Sequence, residues 1–188
     1  SDLKNISVTQ GDILKELPLK DNSVDIGVSR HVLQYFGKEA QPEVLKNFYN
    51  SLKSNGILVM KWPGADSPEQ SPILTDFYAQ TLGVCTNESS GEVAKNKYFV
   101  SYQEVEEIAK KIGYKIVAGG KCRAKLRITG EGFSDRFKLS PQQTEEMTKI
   151  FQEFYDRYKD QPQQFDMRKD QTGLIYSVQH HNYLTLEK

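Results

Sequence analysis

The run Ile57-Leu58-Val59-Met60 constrains this chain most. Four consecutive apolar residues, set between Ser54-Asn55-Gly56 and Pro63-Gly64, are too few for a helix and do not alternate. That is the pattern of a strand buried on both faces. The residues before it read as a helix. Val44, Leu45, Phe48 and Leu52 recur at helical spacing, Pro42 suits the first turn, and Ser54-Asn55-Gly56 is a stop. Before that helix, Val24 to Ser29 reads as a strand introduced by the turn Lys20-Asp21-Asn22-Ser23, and Ile6 to Thr9 as a short β-branched strand closed by Gln10-Gly11-Asp12. Strand, helix, strand with short connectors predicts a parallel sheet crossed by helices.

The second half is patterned differently. Residues 65 to 100 read as a loop or lid insertion, with one short helix at Ile73 to Leu82 and a polar segment from Thr86 to Lys97 that has little to pack. Residues 101 to 128 read as a helix and strand. Ser101 and Glu104 form a capping box ahead of Val105, Ile108, Ala109 and Ile112, and Gly113 ends the helix. Lys115 to Ala118 is a strand, and Lys121 to Ile128 alternates basic and apolar residues, which predicts one wet and one buried face. An inserted helix is expected over 140 to 159, and a last strand within 173 to 186 that contains His180 and His181. The whole is expected to be a single domain of 188 residues.

Composition narrows the partners. Basic and acidic residues balance at 25 each, so the chain as a whole does not advertise a nucleic-acid partner. The basic stretch Lys121 to Arg127 is the exception, read as a solvated face or as an anionic-substrate patch. No apolar run approaches the roughly 18 residues of a membrane span. The two cysteines, Cys85 and Cys122, have no metal or disulfide spacing and suit a reducing, cytoplasmic setting. Adjacent histidines on a strand point to opposite faces, so His180 and His181 are not expected to share a metal.

Four segments in order carry a resemblance. Gln10-Gly11-Asp12-Ile13-Leu14, then Leu17-Pro18-Leu19 with Asp21 to Asp25, then Ser29 to Phe36, then Leu52-Lys53-Ser54-Asn55-Gly56-Ile57-Leu58 resemble the middle of the class I S-adenosylmethionine-dependent methyltransferases. Ser54 and Asn55 depart from that family's usual proline and glycine, and asparagine tolerates the left-handed turn required. The resemblance implies an α/β, Rossmann-like three-layer sandwich with a mostly parallel sheet, an antiparallel last strand, and its first strands missing. It implies S-adenosylmethionine as cofactor. Asp12 and the Ile13 amide would meet the adenine, and Ser29 and Arg30 would stand on the cofactor side of a strand end. It further implies methyl transfer to oxygen or nitrogen of a small molecule. His31 is the candidate base, and Tyr35, Trp62 and Tyr98, with Phe36 and Phe99, are candidates to line the acceptor site.

The family's glycine-rich cofactor turn has no counterpart. Gly130-Glu131-Gly132 follows a strand that is amphipathic rather than central, with no helix start expected directly after it. Gly119-Gly120 precedes a strand. Three origins fit: a piece of a longer enzyme, a methyltransferase-like scaffold that has lost its cofactor, or a chain completed by another. Each leaves the strand Ile6 to Thr9 without a neighbour, open to self-association or to a partner chain.

Overall fold

The computed structural model describes residues 5–15 and 17–188, apart from the side chains of residues 123 and 124. Five strands form one sheet in the order β1-β2-β5-β3, with the short β4 paired to β5. β1 (Val24–Arg30) and β2 (Leu52–Pro63) run parallel. They are joined by a single 3-10 turn at Leu33–Tyr35 and by α1 (Gln41–Ser51). β5 (Ile175–Glu187) inserts antiparallel between β2 and β3 (Lys115–Thr129), and β4 spans Met167–Lys169. The expected parallel pair, crossover helix and antiparallel last strand are all present. Asn55 takes the left-handed conformation, φ 65°, that its place in the turn required.

α1 and α4 (Tyr102–Ile112) cover one face of the sheet. Their apolar stripes, with Val44, Leu45, Val105 and Ala109 buried, pack on Leu58, Met60, Leu184 and Leu186. The Ser101 cap works as its spacing predicts: its hydroxyl accepts from the Glu104 amide, and the Glu104 carboxylate accepts from the Ser101 amide. A second core forms beyond the sheet proper, where β3 and β5 extend as a long antiparallel pair. There α2 (Gln70–Thr86) and α6 (Pro141–Tyr158) close around Phe77, Phe151, Phe154 and Phe165.

Four expectations are corrected. Ile6 to Thr9 forms no strand. It lies outside the sheet with Ile6 and Val8 62 % and 95 % exposed, because the strand it would pair with is not among the described residues. The Ile57–Met60 strand is buried on one face only; Leu58 and Met60 are enclosed while Val59 is exposed. Residues 65 to 100 are mostly helical: α2 is longer than its apolar pattern suggested, and α3 (Ser90–Asn96) has a capping box at Ser89. Finally, α5 (Gly130–Phe137) does follow β3 directly, capped by the Thr129 hydroxyl, which accepts from the Gly132 amide. The other inserted helix agrees with its expected limits to within a residue or two.

Candidate functional site

A cleft of about 600 Å³ opens where β1 and β2 end. In open α/β sheets the carboxyl ends of parallel strands are where ligands bind, since the chain turns away there and leaves a crevice. The volume lies in the range of small-molecule sites. Its rim is set by His31, directly after β1, and by Pro63, the last residue of β2.

His31 is held unusually. Its φ is 56°, a left-handed conformation that a side chain with a Cβ enters at a cost of order 1 kcal/mol or more. Hydrogen bonds on both sides of the residue maintain it. The His31 amide donates to the Lys61 carbonyl at 2.8 Å, extending the β1–β2 ladder, and the His31 carbonyl accepts from Gln34 Nε2 at 2.9 Å. Its ring stacks on His181, from β5, at 4.6 Å between centroids and 21° between planes. His31 Nε2 and Gln34 Oε1 are buried without a hydrogen-bond partner among the described residues. Such unpaired atoms are uncommon inside proteins and mark places where a ligand can complete the bonding. Burial, then the charges of Arg30 and Lys61, lower the His31 pKa. The same burial, with His31, Lys61 and Arg30 nearby, brings His181 down to about 4. Both rings are therefore neutral at pH 7.

The walls are aromatic. Tyr78 from α2 and Phe99 stack face to face, 4.1 Å between centroids and 9° between planes. The Tyr78 hydroxyl donates to Gln179 Oε1 at 2.7 Å, which anchors that ring. Phe133 and Phe137, one turn apart on α5, stack on each other at 6.2 Å, and Phe133 meets Tyr78 edge-on. Tyr35 stands at the mouth, 55 % exposed, with the Lys97 ammonium 4.8 Å above its ring.

Of the residues singled out in the sequence, His31, Tyr35 and Phe99 meet at this cleft. Trp62 and Tyr98 do not. Trp62 is buried on the helix side, its Nε1 donating to the Val100 carbonyl at 3.0 Å. Tyr98 is enclosed in the same core and donates to Glu104 Oε1 at 2.9 Å. Phe36 packs against that core as well. Ser29 is buried and Arg30 exposed at the end of β1. Asp12 and Ile13 do not line the cleft. The Asp12 carboxylate accepts from the Leu14 amide and pairs with Lys15, and Asn47 of α1 donates to the carbonyls of Ile13 and Lys15. Residues that the sequence reading missed are Gln34, Tyr78, His181 and the α5 group Phe133, Arg136 and Phe137. The α5 group was legible as aromatic residues at helical spacing behind a threonine cap.

The described residues do not enclose a nucleoside cofactor by themselves. The carboxylate of Asp12 already has an amide and a lysine as partners, away from the cleft. No cluster of histidine, cysteine and carboxylate able to hold a metal occurs among the described residues. His180 and His181 have separate surroundings, His180 Nδ1 lying 3.3 Å from the Cys122 carbonyl oxygen.

Strand order, the parallel pair and the antiparallel β5 define this as the fold of the class I S-adenosylmethionine-dependent methyltransferases, a class of transferases that takes its methyl group from that cofactor. Residues 1–60 match the model of a methyltransferase domain family. Among solved structures, a protein assigned as a methyltransferase from Bacillus halodurans is similar over 95 % of this chain and 70 % of its own, with 14 % identity and a TM-score of 0.70. YcgJ from Bacillus subtilis is similar over 96 % of this chain and 70 % of its own, with 16 % identity and a TM-score of 0.68. A loganic acid methyltransferase, solved with S-adenosylhomocysteine, is similar over 95 % and 65 %, with 13 % identity and a TM-score of 0.58. No curated protein sequence matches the chain.

Proposed function

We propose that the chain carries the acceptor-binding part of a methyltransferase that uses S-adenosylmethionine to methylate oxygen or nitrogen of a small molecule. The observation that carries this reading is the position of the cleft. It lies at the carboxyl ends of the two parallel strands and is rimmed by a histidine in a strained, doubly hydrogen-bonded conformation. The aromatic walls would orient an acceptor and exclude water from it, and alignment supplies most of what methyl transfer needs. His31, neutral at pH 7, would accept a hydrogen bond from the acceptor's hydroxyl or amine and take its proton. Tyr35 would flank the acceptor at the mouth. Ser29, Arg30, Asp12 and Ile13 would belong to the cofactor side, whose remaining parts are not among the described residues.

One observation favours a second reading, a non-catalytic scaffold or partner subunit. The face of the sheet opposite α1 and α4 is exposed and apolar, with Ile26 and Val28 65 % and 75 % exposed. Calorimetric titration with S-adenosylhomocysteine separates the two. Micromolar binding, by this chain or by a longer form that includes a glycine-rich turn, supports the enzyme. No binding by either supports the scaffold. Where transfer is measurable, His31→Asn is expected to lower kcat by tenfold or more.

A further inference from the structure

The cleft is also lined by basic residues. Three reach its lining, Lys97, Arg127 and Arg136, and no aspartate or glutamate does, although the chain as a whole is balanced at 25 and 25. Arg127 is occupied, ion-paired to Asp170 and lying over the Tyr176 ring. Lys97 and Arg136 have no carboxylate within ion-pair distance among the described residues. They lie over the rings of Tyr35 and Phe137, at 4.8 and 5.4 Å from the ring centroids. The acidic side chains of α5, Glu131 and Asp135, stay out of the lining. Two unpaired cations therefore border a slot walled by the stacked pairs Tyr78–Phe99 and Phe133–Phe137.

We propose that this cleft binds a flat, apolar molecule bearing a carboxylate or a phosphate monoester, with the ring body between the aromatic walls and the anion on Arg136 and Lys97. This names the acceptor class for the site and rests on reading the cleft as the acceptor site. A guanidinium presents paired donors that match either anion, and a charge-assisted hydrogen bond beside low-dielectric aromatic walls is stronger than one in open water. Flat walls favour a flat body because offset and edge-on ring contacts add to simple burial.

Calorimetry with 2-naphthoate, 2-naphthyl phosphate and the uncharged 2-naphthamide tests it without any cofactor. At least one anion should bind about tenfold or more tightly than the amide, and the stronger of the two identifies the head group. Arg136→Gln should cost that anion about tenfold and leave the amide unchanged. Arg136 is exposed, and circular dichroism checks that the variant is folded. Independently of any variant, raising salt from about 20 to about 200 mM should weaken the anion and not the amide. Equal binding of anion and amide, no binding of either anion, or insensitivity to both salt and Arg136→Gln overturns the proposal. Failure of S-adenosylhomocysteine to bind would count against the methyltransferase reading and would leave these results standing.

Discussion

At the scale of single residues, His31 concentrates the cost of the site. Among the described residues five non-glycine residues have positive φ, and three of them are asparagine, the residue that bears that conformation most easily. His31 is not, so its backbone is set by the bonds to Lys61 and Gln34 rather than by its own preference. Replacing it therefore separates ring from backbone. His31→Asn should fold with little loss, whereas His31→Val, β-branched, should be about 1–2 kcal/mol less stable than His31→Asn by urea denaturation. The neighbouring ring adds a pH dependence. His181 is held near 4 in the folded chain against about 6.5 when unfolded. Between those values the unfolded chain binds the extra proton. The contribution of His181 to stability is thus complete above pH 6.5 and is lost as pH falls toward 4. His181→Phe keeps the stack and removes the proton site. Melting followed from pH 7 to pH 4.5 should fall less in His181→Phe, by the equivalent of about 1 kcal/mol once solvent screening is allowed for.

At the scale of elements, Glu104 ties α2 and the stretch of residues 98–101 to α4. One carboxylate oxygen accepts from the hydroxyls of Ser71 and Ser101 and from the Ser101 amide, and the other accepts from Tyr98. Burial works to raise its pKa, and these hydrogen bonds outweigh it, so the carboxyl is held below its ordinary value. Glu104→Ala strips four donors of their acceptor and should cost about 2–4 kcal/mol, whereas Ser101→Ala should cost about 1 kcal/mol, both read from denaturant midpoints. The capping box behind this was plain in the sequence, because it is local: serine, two residues, glutamate, then an apolar stripe. So were β1, α1 and β2, each announced by periodicity and turn residues. What local pattern could not show was the partner of each surface. Trp62 was expected at the cleft because it follows the strand. Yet it shares the parity of Leu58 and Met60, and alternation sends it to the helix side with them. Tyr98 was drawn inward by Glu104, six residues along the chain. The cleft itself joins the turn after β1 to residues from β2, α2, β3, α5 and β5, a convergence that exists only after folding.

At the scale of the molecule, the bare side of the sheet decides how the chain behaves in solution. The sequence reading placed the open edge at Ile6 to Thr9, whereas the structure moves it to β1, whose only partner among the described residues is β2. The exposed residues are also contiguous. Val28 lies beside Val59 and Val59 beside Thr185, while Ile26 lies beside Ile57. Val117 and Tyr183 extend the patch, at 51 % and 38 % exposure. An unpaired strand edge and an apolar face on the same strand are each sites of association, and here the charges of Arg30, Lys61 and Glu187 on neighbouring positions oppose it. The chain alone is therefore expected to self-associate at tens of micromolar, with a rise in dye fluorescence from exposed apolar surface. Val28→Lys puts a charge at the middle of that face without touching the core, since Val28 is 75 % exposed. It should shift sedimentation toward the monomer while leaving the melting temperature within a few degrees. A wild-type chain that sediments as a monomer at all concentrations would mean that the face is quiet by itself, and the scaffold reading would lose the surface it depends on.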